Sequence, residues 1–104
     1  MEEILKRALG GDINSFQELF SKFQPQLRSY LYRLTASRSD ADDLVHDTFI
    51  KAFDKISGFK AESSLKTWVF QIATHLAYNY LKKRNRWTAD VSEQAKKLVL
   101  SNEK

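Results

Sequence analysis

Between Phe16 and Leu34 the apolar residues Phe16, Leu19, Phe20, Phe23, Leu27, Tyr30, Leu31 and Leu34 recur at steps of three and four. An α-helix turns once in about 3.6 residues, so these steps stack the side chains on one face, where a strand would divide them between two. A stripe of that length is stable in water only when other elements cover it. With three glycines and one proline in 104 residues, turn punctuation is too sparse for a sheet-rich fold, so the covering elements are expected to be helices. The length suits one domain with one modest core. The expectation is an all-α fold, a compact bundle of about four to five helices. Pro25 interrupts the stripe and is expected to kink or split its helix, because the ring removes an amide donor and crowds the preceding turn.

The other elements follow from local signals. EEILKRAL places acids before bases, which complements a helix dipole, and Gly10-Gly11 ends it. Asp12 or Asn14 caps the long helix. Ala36 to Ser39 reads as a connection, with Ser39 to Asp42 resembling a capping box that opens a third helix reaching about Ile56. Its apolar arc is Ala41, Val45, Phe49, Ala52, Phe53 and Ile56; Asp43, Asp47, Ile50, Lys51 and Asp54 fall opposite, with His46 at the border. The loop SGFKAESS is expected to carry Phe59, Lys60 and Glu62 into solvent, and Ser63 or Ser64 caps a fourth helix from Leu65 to about Arg86. The core arc of that helix is Leu65, Val69, Ile72, Ala73, Leu76 and Tyr80, with Thr67, Gln71, His75, Tyr78 and Lys82 opposite or flanking. Residues 1–87 are expected to form the domain and 88–104 a linker or tail, with a weak helix between Val91 and Leu100.

Charge is segregated along the chain. Residues 39–59 carry two Lys against five Asp, while residues 60–87 carry six Lys or Arg against one Glu. Each sign attracts the opposite one, so two unlike partners are implied, one of them polyanionic; two solvated helix faces are the plain alternative. Catalysis is not indicated. No nucleophile elbow or phosphate-cradling glycine loop occurs. Asp43 precedes His46 at the spacing of a helical-bundle metal half-site, but Ile72 stands at the matching position before His75, so no metal and no cofactor are expected. The absence of cysteine suits a reducing cytoplasm, and no apolar run is long enough for a membrane span, which together predict a cytoplasmic location.

The fourth helix combines the polar stripe Gln71, His75, Tyr78 and Lys82 with a basic end, Lys82, Lys83, Arg84 and Arg86, and follows a loop bearing Phe59 and Lys60. Cations neutralise phosphates, while amide, imidazole and aromatic groups bond to or stack on unpaired bases. On the third helix, Ile50 among Asp43, Asp47 and Asp54 fits an ordinary solvated face and also a helix that meets a basic protein groove.

From about Gly11 to Trp87 the sequence resembles region 2 of the bacterial sigma factors, especially the extracytoplasmic-function group. The segments DDLVHDTFIKAF and FKAESSLKTWVFQIA carry the resemblance most strongly. It implies a helical domain that binds the clamp helices of the RNA polymerase beta-prime subunit and the non-template strand of the minus-ten promoter element as it melts. Carried over, the polymerase-binding positions are Asp43, His46 and Asp47, with Ile50 and Lys51 beside them. The DNA-binding positions are Phe59, Lys60, Glu62, Ser63, Ser64, Trp68, Phe70, Gln71 and His75, with Lys82, Lys83, Arg84 and Arg86 toward phosphates. Phe59, Phe70 and His75 are expected to line a pocket for a flipped base; Phe70 and Trp68 also fit a core role. The chain departs from the family at His46, often Gln, and at His75, often Asn. The resemblance further implies an anti-sigma partner, and a monomer is the simplest expectation for a domain that needs both faces free. Members of the family continue into a second, helix-turn-helix domain that reads the upstream promoter element, and this chain is expected to lack it. Two other readings stay open: a sigma-like decoy that binds an anti-sigma factor without DNA, and a generic helical nucleic-acid-binding module.

Overall fold

The computed structural model describes residues 2–60 and 62–86, with side chains as far as Arg84. The expected tail, with its weak helix, lies outside the described residues. Among the described residues four helices appear in order, α1 (Glu3–Leu9), α2 (Ile13–Thr35), α3 (Arg38–Asp54) and α4 (Leu65–Arg86), with a short 3-10 turn at Ile56–Gly58. α2 packs against each of the other three helices, and α4 lies across both α2 and α3.

The joints are set by single residues. At the end of α1, Gly11 takes a φ of 99°, a conformation that side chains with a Cβ resist, and its N–H donates to the Ala8 carbonyl at 3.0 Å. Asp12 is the cap of α2, accepting from the Asn14 N–H at 3.2 Å and from the Ser15 hydroxyl at 2.7 Å. α2 then runs unbroken through Pro25, so the helix is not split. Phe23 and Leu27, on either side of the proline, are buried in the same core and hold both halves to one surface, offsetting the lost backbone bond.

The turn into α3 is tighter than the sequence suggested. Ala36 adopts the left-handed conformation, with φ 57°, and its N–H reaches the Tyr32 carbonyl at 2.7 Å. That reversal lets α3 start at once, so its cap is Ser37, which accepts from the Asp40 N–H at 3.2 Å, and not Ser39. Ser64 caps α4, accepting from the Thr67 N–H at 3.1 Å.

Phe16 is fully buried and touches Phe20, Phe49 and Phe53, with ring centroids 6.0, 5.2 and 5.5 Å away. Leu44, Thr48 and Ala77 join this core although the helical arcs had omitted them. Thr48 is tolerated because its hydroxyl donates to the Leu44 carbonyl at 2.6 Å, leaving no unpaired polar group. Leu34 leaves the stripe and is exposed, since α2 ends one residue later.

Candidate nucleic-acid and protein interfaces

Two dissimilar faces flank the core. On α3 the residues Asp43, His46, Asp47, Ile50 and Asp54 are all exposed, and their spacing lines them up as one column. Ile50 is 54% exposed, more than any other large hydrophobic residue described, and it sits among the carboxylates. Asp43, Asp47 and Asp54 thus put three acids in the column, with Ile50 as an apolar knob between the last two.

Lys51 belongs elsewhere. It lies at the α4 edge of α3, where Lys51, Lys55, Trp68, Gln71, Ile72, His75 and Leu76 line a crevice of about 240 Å³. Its helical position is one residue, about 100° of arc, from that of Ile50, which turns it toward α4. The family resemblance sets it at the margin of the polymerase-binding positions.

On the other side of α4 a larger groove of about 780 Å³ runs between α4 and the C-terminal end of α2. Arg33 and Leu34 form its α2 wall; Phe70, Gln71, His75 and Tyr78 are among the α4 residues opposite. Gln71 and His75 line both hollows, so they form the exposed ridge between them. Phe70 is half-buried and held from behind by Phe23 and Tyr30, with centroids 6.3 and 5.4 Å away. The Thr74 hydroxyl donates to the Phe70 carbonyl at 2.8 Å, which leaves its lone pairs to accept from the Tyr30 hydroxyl at 2.5 Å. That chain pins α4 to α2 beside the groove. Lys82 stands over the Tyr78 ring at 4.7 Å, so the far end of the groove is both cationic and aromatic.

Phe59 corrects the loop expectation. The 3-10 turn folds the chain inward, with the Phe59 N–H bonded to the Ile56 carbonyl at 3.0 Å, and the ring is only 7% exposed. It packs on Trp68 at a centroid distance of 5.3 Å. Burying a phenyl ring outweighs exposing it in a loop, since each Å² of apolar surface removed from water contributes about 25 cal/mol. Phe59 therefore lines neither hollow, and the expected trio is not assembled: Phe70 and His75 share the groove, while Phe59 supports Trp68. Lys60, Glu62, Ser63 and Ser64 are exposed, as the loop reading expected, although Ser64 is committed to its cap.

The basic end divides. Lys82 and Lys83 are exposed, and the Arg86 side chain lies outside the described residues. Arg84 instead reaches back to Asp40 of α3 at 3.6 Å. The same carboxylate lies beside the Tyr80 hydroxyl and holds that phenol above the ordinary tyrosine range. Arg84 thus helps fasten α4 to α3, a role that helical spacing does not reveal. Arg33, Leu34, Thr74 and Lys55 were not singled out as site residues from the sequence, because each is brought to these hollows only by a neighbouring helix.

Comparison with known proteins defines the class. The Sigma-70 region 2 family model matches residues 19–87. The chain therefore belongs to the sigma-70 region 2 family. It is 36% identical over 85 residues to the ECF RNA polymerase sigma-E factor of Haemophilus influenzae, an alignment covering 82% of this chain and 44% of that protein. It is 33% identical over 70 residues to the RNA polymerase sigma factor YlaC of Bacillus subtilis, covering 67% of this chain and 40% of the relative. The chain spans less than half the length of these curated relatives. Among solved structures, an engineered region 2 of sigmaE in complex with GTAAAA, determined by NMR, superposes with a TM-score of 0.72 at 30% identity, covering 83% of this chain and 96% of that one.

Proposed function

We propose that the chain is the promoter-recognition domain of an extracytoplasmic-function sigma factor, acting in the cytoplasm by binding and not by catalysis. The acidic α3 column of Asp43, His46, Asp47 and Ile50 docks on the clamp helices of the RNA polymerase beta-prime subunit. The ridge of Gln71 and His75, with the groove floored by Phe70 and the cations Lys82 and Lys83, takes the non-template strand of the minus-ten element as it unpairs. Trp68, backed by Phe59, stands at the α3 side of that ridge and meets the edge of the duplex. Capturing unpaired bases favours the melted promoter, since a ligand that binds one state shifts the equilibrium toward it. An anti-sigma factor is the expected regulator, covering one or both faces of a monomer.

The observation that carries this reading is the separation of the two faces: acids with an exposed Ile50 on α3, and an aromatic, cationic groove along α4. A related region 2 of the same fold was solved with GTAAAA, which supports assigning the second face to a nucleic-acid strand. Two measurements test it together. The full chain should bind single-stranded GTAAAA in preference to a scrambled strand, with affinity falling as salt rises. It should also capture the polymerase largest subunit, and Asp43→Arg with Asp47→Arg should abolish capture while leaving strand binding intact. Equal binding of both strands at low salt refutes base recognition; capture that survives the charge reversal refutes the α3 assignment.

A further inference from the structure

The groove beside α4 does not end at Phe70. A second hollow of about 400 Å³, lined by Pro25, Gln26, Ser29, Tyr30, Arg33, Lys66 and Phe70, shares Arg33 and Phe70 with it, so the two form one depression passing from α4 onto α2. Lys66 stands on its rim, with its ammonium 5.7 Å from the centre of the Phe70 ring. Beyond Ser29 a third hollow of about 490 Å³ continues between α2 and α3, where Arg28, Tyr32 and Arg38 meet. The acid in that hollow, Asp42, is bonded to Arg28 at 2.9 Å and adds no free negative charge. Neither Lys66 nor Arg38 enters an ion pair among the described residues, and both are exposed.

A run of hollows edged by cations, with hydroxyl and amide groups on its floor, suits an extended polyanion more than a compact ligand. Phosphates need cations at intervals along a track, and Lys66 of α4 and Arg38 of α3, on either side of the exposed face of α2, provide them without any acid left unpaired inside the hollows. A protein partner would call for apolar anchors here, and the only exposed large hydrophobic residue in this part of the track is Tyr32, at 43%.

We propose that a single strand seated on α4 continues across α2, with its phosphates passing Lys66 and then Arg38, so that the domain covers more of the strand than GTAAAA alone. This rests on the nucleic-acid reading of the α4 face given above. The test titrates the full chain, over a range of salt concentrations, with GTAAAA and with the same sequence lengthened by a short oligothymidine at either end. One of the two lengthened strands should bind more tightly, and its plot of log affinity against log salt should be steeper by about 0.7 for each added phosphate contact, or about 1.4 for two. In the double variant Lys66→Ala with Arg38→Ala that increment should vanish, while GTAAAA itself binds as before and circular dichroism shows an unchanged fold.

The alternatives are separable. Lengthened strands that bind no better than GTAAAA overturn the extended track but leave the α4 site standing, as does a gain that persists in the double variant. A double variant that keeps the gain but no longer captures the polymerase largest subunit assigns this face to protein contact and overturns the proposal. Failure of every strand to bind, even at low salt, overturns the underlying reading and this inference with it.

Discussion

Truncating Phe59 to alanine separates a supporting ring from a ring that touches a base. The side chain is 7% exposed and rests on Trp68, so the variant loses nearly all of a phenyl ring's burial. About 150 Å² of apolar surface at about 25 cal/mol per Å² amounts to about 4 kcal/mol, and partial collapse at a loop edge reduces this to about 3. A domain of this size has a total stability of roughly 8 kcal/mol, so the variant remains folded when cool but melts far earlier. Each kcal/mol moves the midpoint by about 4–8 °C in a small domain, which predicts a drop of at least about 12 °C in a far-ultraviolet circular dichroism melt. Phe59→Leu keeps most of the apolar volume and should recover most of that loss. Strand affinity measured well below the midpoint should fall less than about threefold, because the ring reaches the strand only through Trp68. A base stacked directly on Phe59 would contribute on the order of 1–3 kcal/mol, which corresponds to roughly five- to 150-fold in affinity. A Phe59→Ala protein that melts like the parent yet binds GTAAAA tenfold more weakly would refute the reasoning.

Ala36 holds a left-handed φ of 57° at the end of α2, so Ala36→Gly should stabilise the fold by up to about 1 kcal/mol, seen as a higher urea midpoint with an unchanged slope. Asp12 has its carboxyl held below the usual carboxylate range, first by the hydrogen bond from Ser15. Its contribution is therefore fully present above the pKa of an unfolded aspartate and is lost as the pH falls through the lowered folded value; Asp12→Ala should flatten that acid limb in urea titrations. Tyr80 runs the other way: with its pKa raised by Asp40, its contribution is present below the unfolded tyrosine pKa and disappears as the pH rises through the folded one. Tyrosinate absorbance should show one late-titrating phenol, and Tyr80→Phe should remove it. Thr74→Val breaks the chain from Tyr30 to the Phe70 carbonyl, and a loss of about 1 kcal/mol in the same urea assay is expected, with weaker strand binding from a loosened groove wall.

Much of the architecture was legible because helices announce themselves locally. The stripe from Phe16 to Leu31, the Asp12 and Ser64 caps and the outward column of Asp43, Asp47 and Ile50 all depend on residues a few positions apart. The same local logic erred where a neighbour intervened. Ser39 looked like a cap until the left-handed Ala36 allowed α3 to begin from Ser37. Arg84 stands in the basic end of α4, and its ion pair with Asp40 of α3 is not legible from helical spacing.

What the sequence determined by itself was the set of helices, the direction each side chain takes around its own axis, and the motifs that mark the sigma-70 region 2 family. Periodicity and capping are short-range physics, and a motif is a short-range pattern. Only the tertiary structure decided that Phe59 turns inward beneath Trp68, that Lys51 faces α4, and that Arg33 of α2 walls the groove opposite Gln71 and His75. Those placements depend on where a second helix runs, which the burial of Phe16, Leu27, Leu31 and Val69 selects collectively through close packing. No single stretch of the chain contains that information.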